Sequence, residues 1–300
     1  MTSTPETGQT TTLPADFLMS YVVSGRRLTG TDLAIWLTSI ARLPEVDEIF
    51  RTAAVDAIEP NEDGVLVAKA VDVPRPLIAA AMGRMSNPRY HDAVGRLKAS
   101  KVRMAGDMSA WAAGVPMLID HSMRDPASRG AHAIEVMHVH PWLAAQAGSL
   151  IGVPMVSLDI ADLNKLSSRH SVLLYSRLRA STATAWDPSI DVSELGRNAG
   201  IRIRVPYDRV FRWLGFDIML SPAQIDQTLE IVQREFFKIG YKVTSRWLMA
   251  GKEHAGLQIS IVPLTVKQAL RDMEMSAHAD MISSGIGAEL AAKKRSKTAA

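Results

Sequence analysis

Cysteine is absent from this chain of 300 residues, which excludes disulfide bonds, thiolate metal sites and cysteine nucleophiles. No apolar run approaches the ~18 residues that a membrane span requires. The opening stretch MTSTPETGQTTTLP lacks the basic-then-apolar layout of a signal peptide. These absences predict a cytoplasmic protein without a membrane partner.

Motifs of several enzyme classes are also missing. The sequence contains no Walker motif, and the glycines of SSGIGAEL (283–290) follow no strand signal, so they do not indicate a phosphate loop. Serine flanked by glycines in the hydrolase pattern is absent as well. The sequence therefore predicts a protein without catalytic residues and without a cofactor.

Basic and acidic residues are unevenly distributed along the chain, although the net charge is only +3. Residues 1–83 carry six basic and eleven acidic side chains, whereas residues 84–103 carry six basic side chains and one acidic. Residues 164–212 carry nine basic and four acidic side chains. Two basic islands in a nearly neutral chain indicate two places where a polyanion can bind, although solvated helix faces would give the same pattern.

The order of helix and strand signals is the same in the two halves of the chain. In the first half, helices are predicted at 31–42, 74–85 and 87–100, and strands at 115–121 and 131–139. In the second half, helices are predicted at 164–180, 190–201 and 221–240, and strands at 241–249 and 257–262. Ser221, Pro222 and Gln224 form a capping-box pattern before the last helix.

Helix, helix, capped amphipathic helix and two-stranded hairpin, in that order, are typical of a winged helix-turn-helix. A helix with an apolar back and a front of glutamine, arginine and lysine suits the DNA major groove. The fold prediction is therefore α+β, with two tandem winged-helix domains at 15–152 and 153–290. Residues 1–14 are predicted to be a disordered tail, and residues 291–300 a basic tail.

Three stretches resemble the plasmid replication initiators that are built from two winged-helix domains. They are AVGRLKASKV (93–102) with the hairpin pattern after it, MVSLDIADLNKLSSRHSVLLYSRLRA (155–180), and IDVSELGRNAGI (190–201) with the capped helix after it. Together they cover about residues 70–265. WLGFDIMLSPAQ (213–224) departs from the short basic stretch that the family has before its second recognition helix.

The resemblance implies sequence-specific binding to repeated sites in double-stranded DNA at a replication origin. It also implies recruitment of host replication proteins and autorepression as a homodimer. It brings no catalytic residues, and a winged-helix transcriptional regulator has the same pattern and stays an alternative.

The residues predicted to contact DNA lie on the two capped helices, the two hairpins and the helix at the domain joint. They are Arg89, Arg96, Lys98, Arg124, Arg129, Arg169, Arg177, Gln224, Gln227, Arg234, Lys238 and Lys252. Gln224, Gln227, Arg234 and Lys238 are expected to read bases or phosphates, and the others to contact the backbone. In the joint helix, Leu174, Tyr175 and Leu178 are expected to be core residues.

A metal-dependent nickase is the other class of function that the sequence leaves open. His138 and His140 flank a valine, and this pattern on a strand places both imidazoles on one face. Rolling-circle nickases and relaxases use such a pair to hold a metal beside a nucleophilic tyrosine. His121 or His132 would be the third ligand, and Tyr175 or Tyr207 the nucleophile.

Overall fold

The computed structural model describes residues 9–25, 27–43, 67–83, 86–104, 113–125, 132–148, 153–181, 191–195, 200–216 and 219–264. The helices in these ranges are α1 (Ala15–Ser20), α2 (Gly30–Ile40), α3 (Arg75–Met82), α4 (Asn87–Lys98), α5 (Pro141–Ala147), α6 (Ile160–Lys165), α7 (Arg169–Ser181), α8 (Tyr207–Trp213) and α9 (Pro222–Lys238). The strands are β1 (Thr10–Pro14), β2 (Tyr21–Ser24), β3 (Lys69–Pro74), β4 (Lys101–Met104), β5 (Val115–Pro116), β6 (Asp120–Met123), β7 (Ile134–Val139), β8 (Met155–Asp159), β9 (Asp191–Leu195), β10 (Gly200–Pro206), β11 (Tyr241–Ala250) and β12 (Glu253–Pro263).

The strands form four small sheets, and every strand pair in them is antiparallel. Their orders are β1-β8, β2-β4-β5, β3-β7-β6 and β11-β12-β10-β9. The mixed helix-and-sheet composition predicted from the sequence is therefore confirmed. The assignment of two tandem winged-helix domains stays a prediction. Within the described ranges, no helix has the length and apolarity that crossing a bilayer requires.

Strands that end in proline lead directly into helices. Pro14, Pro74 and Pro206 each close a strand and stand at the N-cap position of the following helix, with φ between −59° and −55°. Proline fits this place because its fixed φ suits both neighbours and its missing N–H ends the strand ladder. The junction occurs in both halves of the chain and places a short helix next to three of the four sheets.

The expectation of a disordered tail over 1–14 is wrong at its C-terminal end. Thr10–Pro14 forms β1, which pairs with β8 from Thr10 opposite Asp159 to Pro14 opposite Met155. The alternation of buried Thr11 and Leu13 with exposed Thr10 and Thr12 is a half-buried strand pattern that three successive threonines obscure in the sequence. The first described strand is therefore paired with a strand from the middle of the chain, β8.

The predicted helix at 190–201 is also wrong. Asp191–Leu195 is strand β9, and β10 starts at Gly200. β10 pairs with β12 along Ile201–Pro206, and its buried residues Ile203 and Val205 belong to the core. Pairing with a strand that lies far along the chain overrides the local helix signal in this stretch.

The joint stretch 164–180 is helical, but it is divided between two helices. α6 ends at Lys165 and α7 starts at Arg169. The expectation that Leu174, Tyr175 and Leu178 are core residues is confirmed, since all three are buried. α7 packs against α1 and α2 on one side and α9 on the other, so it contacts both halves of the chain. The domain boundary at 152/153 is a prediction that these contacts do not test.

Candidate nucleic-acid interface

Helix α9 starts with the capping box that the sequence predicted. The Ser221 hydroxyl accepts a hydrogen bond from the Gln224 backbone N–H (3.4 Å), and Gln224 Oε1 accepts one from the Ser221 backbone N–H (3.0 Å). Pro222 occupies the first helical position. The reciprocal bonds satisfy two backbone donors that a helix start otherwise leaves to solvent, so α9 begins as a rigid helix.

The apolar back of α9 packs into the core as predicted. Ile225, Leu229, Val232 and Phe236 are all buried. On the opposite side, separations of three and four residues place a stripe of exposed side chains along the helix. The stripe consists of Gln224, Gln227, Ile231, Arg234 and Lys238. The Gln224 side chain also takes part in the cap. The Arg234 Nε–H donates to the Glu230 carbonyl (3.3 Å), and the Arg234 side chain is exposed.

Two of the three acidic residues of α9 are engaged by the protein itself. Glu235 is 5% exposed, and its carboxylate accepts a hydrogen bond from the Ser167 hydroxyl. The Ser168 backbone N–H donates to both of its oxygens, Oε2 (3.0 Å) and Oε1 (3.2 Å). Asp226 accepts from the Trp247 indole N–H (3.0 Å) and is tied to β11. Glu230 stays exposed. Burial therefore removes the Glu235 carboxylate from the exposed surface of α9, whereas the exposed Asp226 and Glu230 keep their charges there.

The β11–β12 hairpin follows α9 and is longer than the sequence predicted. It runs over Tyr241–Ala250 and Glu253–Pro263, with a register shift between Leu248 and Met249. Gly251 turns the chain at φ 64°, and Lys252 is exposed beside it. A bulge near the tip increases the local twist, which directs the tip away from the sheet plane.

In the first half, α4 has an apolar stripe of Tyr90, Ala93, Val94 and Leu97, all buried. Arg89 is exposed at its start. Arg96 instead binds Asp32 with two hydrogen bonds of 2.8 Å, and this bonding raises the pKa of the Arg96 guanidinium. Since Asp32 is fully buried, the pair locks α4 to the start of α2.

The other predicted contact residues of the first half also have protein partners where they are described. The Lys98 ammonium pairs with the Asp120 carboxylate, and that hydrogen bond lowers the pKa of Asp120. Arg124 pairs with Asp72. Both pairs are exposed, and exposed pairs are weak enough to exchange for a phosphate. Arg129 lies outside the described residues.

At the joint, Arg169 and Arg177 have different surroundings. The Arg169 Nη1–H donates to the Gly25 carbonyl (2.9 Å), and the side chain is half-buried. Arg177 is 1% exposed and donates to the carbonyls of Tyr21, Arg212 and Trp213. The expectation that Arg177 clamps a phosphate is therefore wrong for this conformation, because its guanidinium does not reach solvent. Burial lowers its pKa to about 10.

The histidine pair of the nickase alternative has structural roles. His140 is buried at the N-cap of α5, and its Nδ1 accepts from the Trp142 backbone N–H (3.2 Å). His138 Nε2 lies 3.3 Å from the Ser122 hydroxyl. His121 Nε2 lies 2.7 Å from Glu135. Among the described residues, no group of three or more histidine or acidic side chains is placed to hold a metal ion.

The two candidate nucleophiles of that alternative differ in access. The Tyr175 hydroxyl is buried and donates to Asp162 (3.2 Å), and burial raises the pKa of the phenol. Tyr207 is half-buried and stacks with His254 (ring centroids 6.1 Å apart). The contacts described for the two tyrosines are with Asp159, Asp162, Trp247 and His254, and none of them is with His138 or His140.

Asp32 and Glu235 are two carboxylates at this interface whose roles sequence reasoning missed. Asp32 completes a capping box with Thr29, since each residue's side chain accepts from the other's backbone N–H. The spacing of Thr29 and Asp32 is the usual sequence signature of such a box and is visible in the sequence. Glu235 has no comparable local signal, because its partners lie 67 and 68 residues earlier.

No known family model matches this chain, and no curated protein matches it either. Among solved structures, it is similar to the Pi initiator protein in complex with iteron DNA, with a TM-score of 0.44 and 15% sequence identity. The likeness covers 82% of this chain and 98% of that chain. At this distance, what the Pi protein binds says nothing of what this chain binds.

Proposed function

We propose that this chain is a non-enzymatic replication initiator that binds specific sites in double-stranded DNA through helix α9. The observation that carries the proposal is the exposed stripe of α9, where two glutamines near the capped start are followed by an arginine and a lysine towards the end. Glutamine can bond adenine with two hydrogen bonds, and arginine can bond guanine in the same way. Gln227 and Arg234 are the members of the stripe best placed for base contacts.

The dimensions of α9 agree with this role. Its 17 residues span about 25 Å, and a helix fits the major groove, which is about 12 Å wide. With Glu235 buried, the exposed charges of α9 are those of Arg234, Lys238, Asp226 and Glu230. Lys252 at the hairpin tip extends the cationic surface beyond the helix.

The sites that we propose are repeats at a plasmid origin, with autorepression by a homodimer and recruitment of host replication proteins. Support comes from the resemblance of residues 70–265 to plasmid initiators. The first half would contribute backbone contacts through Arg89, and through Lys98 and Arg124 once a phosphate replaces their carboxylate partners. Arg169 and Lys238 complete the proposed backbone contacts.

A binding assay with α9 variants tests the proposal. DNA that flanks the gene is cut into fragments, and the fragment that the full chain shifts in a gel is identified. Arg234→Ala should weaken binding to that fragment by about 1–3 kcal/mol and relax the preference at one base pair. Arg179→Ala, at an exposed arginine of α7, is the control and should bind normally. Equal affinity of the Arg234→Ala variant and the wild type would remove α9 from the interface.

A replication assay separates an initiator from a regulator. A plasmid that lacks its own initiator gene but carries the bound fragment is supplied with the chain from a second gene. The initiator proposal expects maintenance of the plasmid with the wild type and its loss with Arg234→Ala. Tight binding without plasmid maintenance would contradict initiation and favour the winged-helix regulator.

A further inference from the structure

The four-stranded sheet has a second face that carries cations. Ile203, Leu257 and Ile259 point to the apolar face and are buried. Side chains alternate along a strand, so the neighbouring positions point to the other side. The strand register aligns these positions across β11, β12 and β10. The cations among them are Lys242, Arg246, Arg202 and Arg204. We call this surface the cationic sheet face.

The centre of the cationic sheet face brings two guanidinium groups together on a neutral acceptor. Gln258 lies between Arg246 on β11 and Arg204 on β10 in the register. Its Oε1 accepts from Arg246 Nη2 (3.1 Å) and from Arg204 Nε (3.4 Å). A neutral amide fixes the geometry of the two groups without cancelling their charge. In the register, β9 pairs with β10 so that Asp191 stands opposite Arg204.

The cationic sheet face lies on the far side of the sheet from α9. The ring of Phe236, on the buried side of α9, contacts Tyr241 at the start of β11, and Trp247 on the apolar side reaches Asp226. Lys242, Thr244, Arg204 and Arg246 are exposed on the other side. A straight duplex that engages the stripe of α9 therefore cannot also cover these cations.

The chemistry of the face identifies the kind of partner. Hydroxyl groups of Thr244 and Ser260 lie in the row next to the arginines, and they can donate to phosphate oxygens. Protein interfaces depend on buried aromatic or apolar anchors, and single-strand sites on aromatic platforms for bases. In β10–β12 the register places no aromatic residue on this face, since His254 contacts Trp247 on the apolar side, and Leu248 and Val262 on it are half-buried. Cations and hydroxyls without stacking surfaces suit a duplex backbone.

We propose that the cationic sheet face binds the sugar–phosphate backbone of a second DNA duplex, without sequence preference. Lys242 and Arg246 lie four residues apart, about 14 Å along β11, and Arg204 lies about 10 Å across the sheet. This area spans several phosphates of one backbone. The chain can then hold two duplexes, one on each side of the sheet. This binding does not depend on the role proposed for α9.

A capture assay with the full chain tests the second duplex site. The specific fragment is immobilised, the chain is bound to it, and a labelled random duplex of about 20 base pairs, two helical turns, is added. The wild type should capture the labelled duplex. The double variant Arg204→Gln with Arg246→Gln should reduce capture about tenfold. It should also reduce the slope of the logarithm of the binding constant against the logarithm of salt concentration by about two in magnitude. Glutamine keeps an amide N–H that can reach Gln258, and thermal unfolding verifies the fold.

Two further variants make the outcome specific. Lys69→Gln with Lys165→Gln removes the same charge from exposed positions elsewhere and should capture normally. Arg204→Lys with Arg246→Lys keeps the charge and should retain most of the capture. Wild-type capture by the glutamine variant, or an equal loss in the Lys69/Lys165 control, would overturn the second duplex site.

The immobilisation step separates this proposal from that for α9. Arg234→Ala should weaken binding to the immobilised fragment, whereas the Arg204/Arg246 glutamine variant should bind it and fail only in capture. A defect in the α9 variant alone would support the initiator proposal and contradict the second duplex site. A defect in the sheet variant alone would support the second duplex site and contradict the role proposed for α9.

Discussion

His170 is held in its neutral form at the contact between α7 and α8. Its Nδ1 lies 2.6 Å from the Leu214 carbonyl and donates to it, while its Nε2 accepts from Arg169 (3.4 Å). The ring stacks on Phe216 with centroids 4.2 Å apart. Burial lowers the pKa of His170 to about 4, because a second proton would place a charge beside Arg169 in a half-buried site.

This environment predicts that stability falls in mild acid. In the unfolded chain, His170 gains its proton near its ordinary pKa of about 6.5, whereas the folded protein resists protonation down to about 4. The unfolded state therefore binds more protons in this window, and the free energy of unfolding decreases as pH falls through it. Between pH 7.5 and 5, His170 should account for a loss of about 2 kcal/mol.

Urea unfolding at several pH values measures the effect. His170→Gln should show a shallower loss of stability between pH 7.5 and 5 than the wild type. His91→Gln changes an exposed histidine on α4 and should follow the wild-type curve. Parallel curves for the His170→Gln variant and the wild type would show that His170 titrates alike in the folded and unfolded chains.

At the residue scale, sequence could identify the buried apolar side chains of α7 but not the burial of Arg177. Leu174, Tyr175 and Leu178 repeat at helical spacing, so the pattern itself indicates the core. Arg177 and Arg179 look equivalent in the sequence, yet one is buried and the other exposed. Arg177 is buried because carbonyls of Tyr21 and Trp213, 156 and 36 residues away, converge on it.

At the scale of elements, Glu235 links α9 to the start of α7. The Ser168 hydroxyl accepts from the His170 backbone N–H, and Glu235 accepts from the Ser168 backbone N–H. The first bond caps the start of α7, and the second resembles the reciprocal bond of a capping box, with the carboxylate supplied by a different helix. The Glu235 side chain thereby holds the segment between α6 and α7 and fixes the position of α9 against α7.

Removing this link should destabilise the protein. Glu235→Ala leaves the Ser168 N–H and the Ser167 hydroxyl without their acceptor, and we expect a loss of about 2–3 kcal/mol in the free energy of unfolding. Glu235→Gln keeps one oxygen acceptor and should lose less. Glu230→Ala, at an exposed position of the same helix, should change stability by no more than about 0.5 kcal/mol. Equal stability of the two alanine variants in urea would contradict the cross-helix cap.

The elements that the sequence predicted best are those whose signals are local. The Ser221–Gln224 box and the apolar stripe of α9 both lie within the helix they define, and both are confirmed. The helix predicted at 190–201 is wrong because β10 pairs with β12, where Ile201 lies opposite Ile261. A pairing between residues 60 positions apart cannot be recognised from the local sequence pattern, so local propensity predicted the wrong element there.

For the whole molecule, contacts between distant parts of the chain join the two halves into one folding unit. One continuous cluster of buried residues extends from Leu13 to Ile261. β1 pairs with β8, and Arg177 bonds carbonyls from β2 and α8. Chains of this length commonly unfold domain by domain. Here, opening either half would break the shared core, so the described parts of both halves should unfold together.

Hydrogen exchange followed by mass spectrometry tests this cooperativity. Peptides from α2 and from α9 should report global opening free energies that agree within about 1 kcal/mol. Deleting residues 1–14 removes β1 together with the buried Leu13 and should lower both values by at least about 2 kcal/mol. Deleting only residues 1–8 keeps β1 and should change neither. A loss confined to the α2 peptides would mean that the halves open separately, since the deletion would then act on its own half without reaching α9 through the shared core.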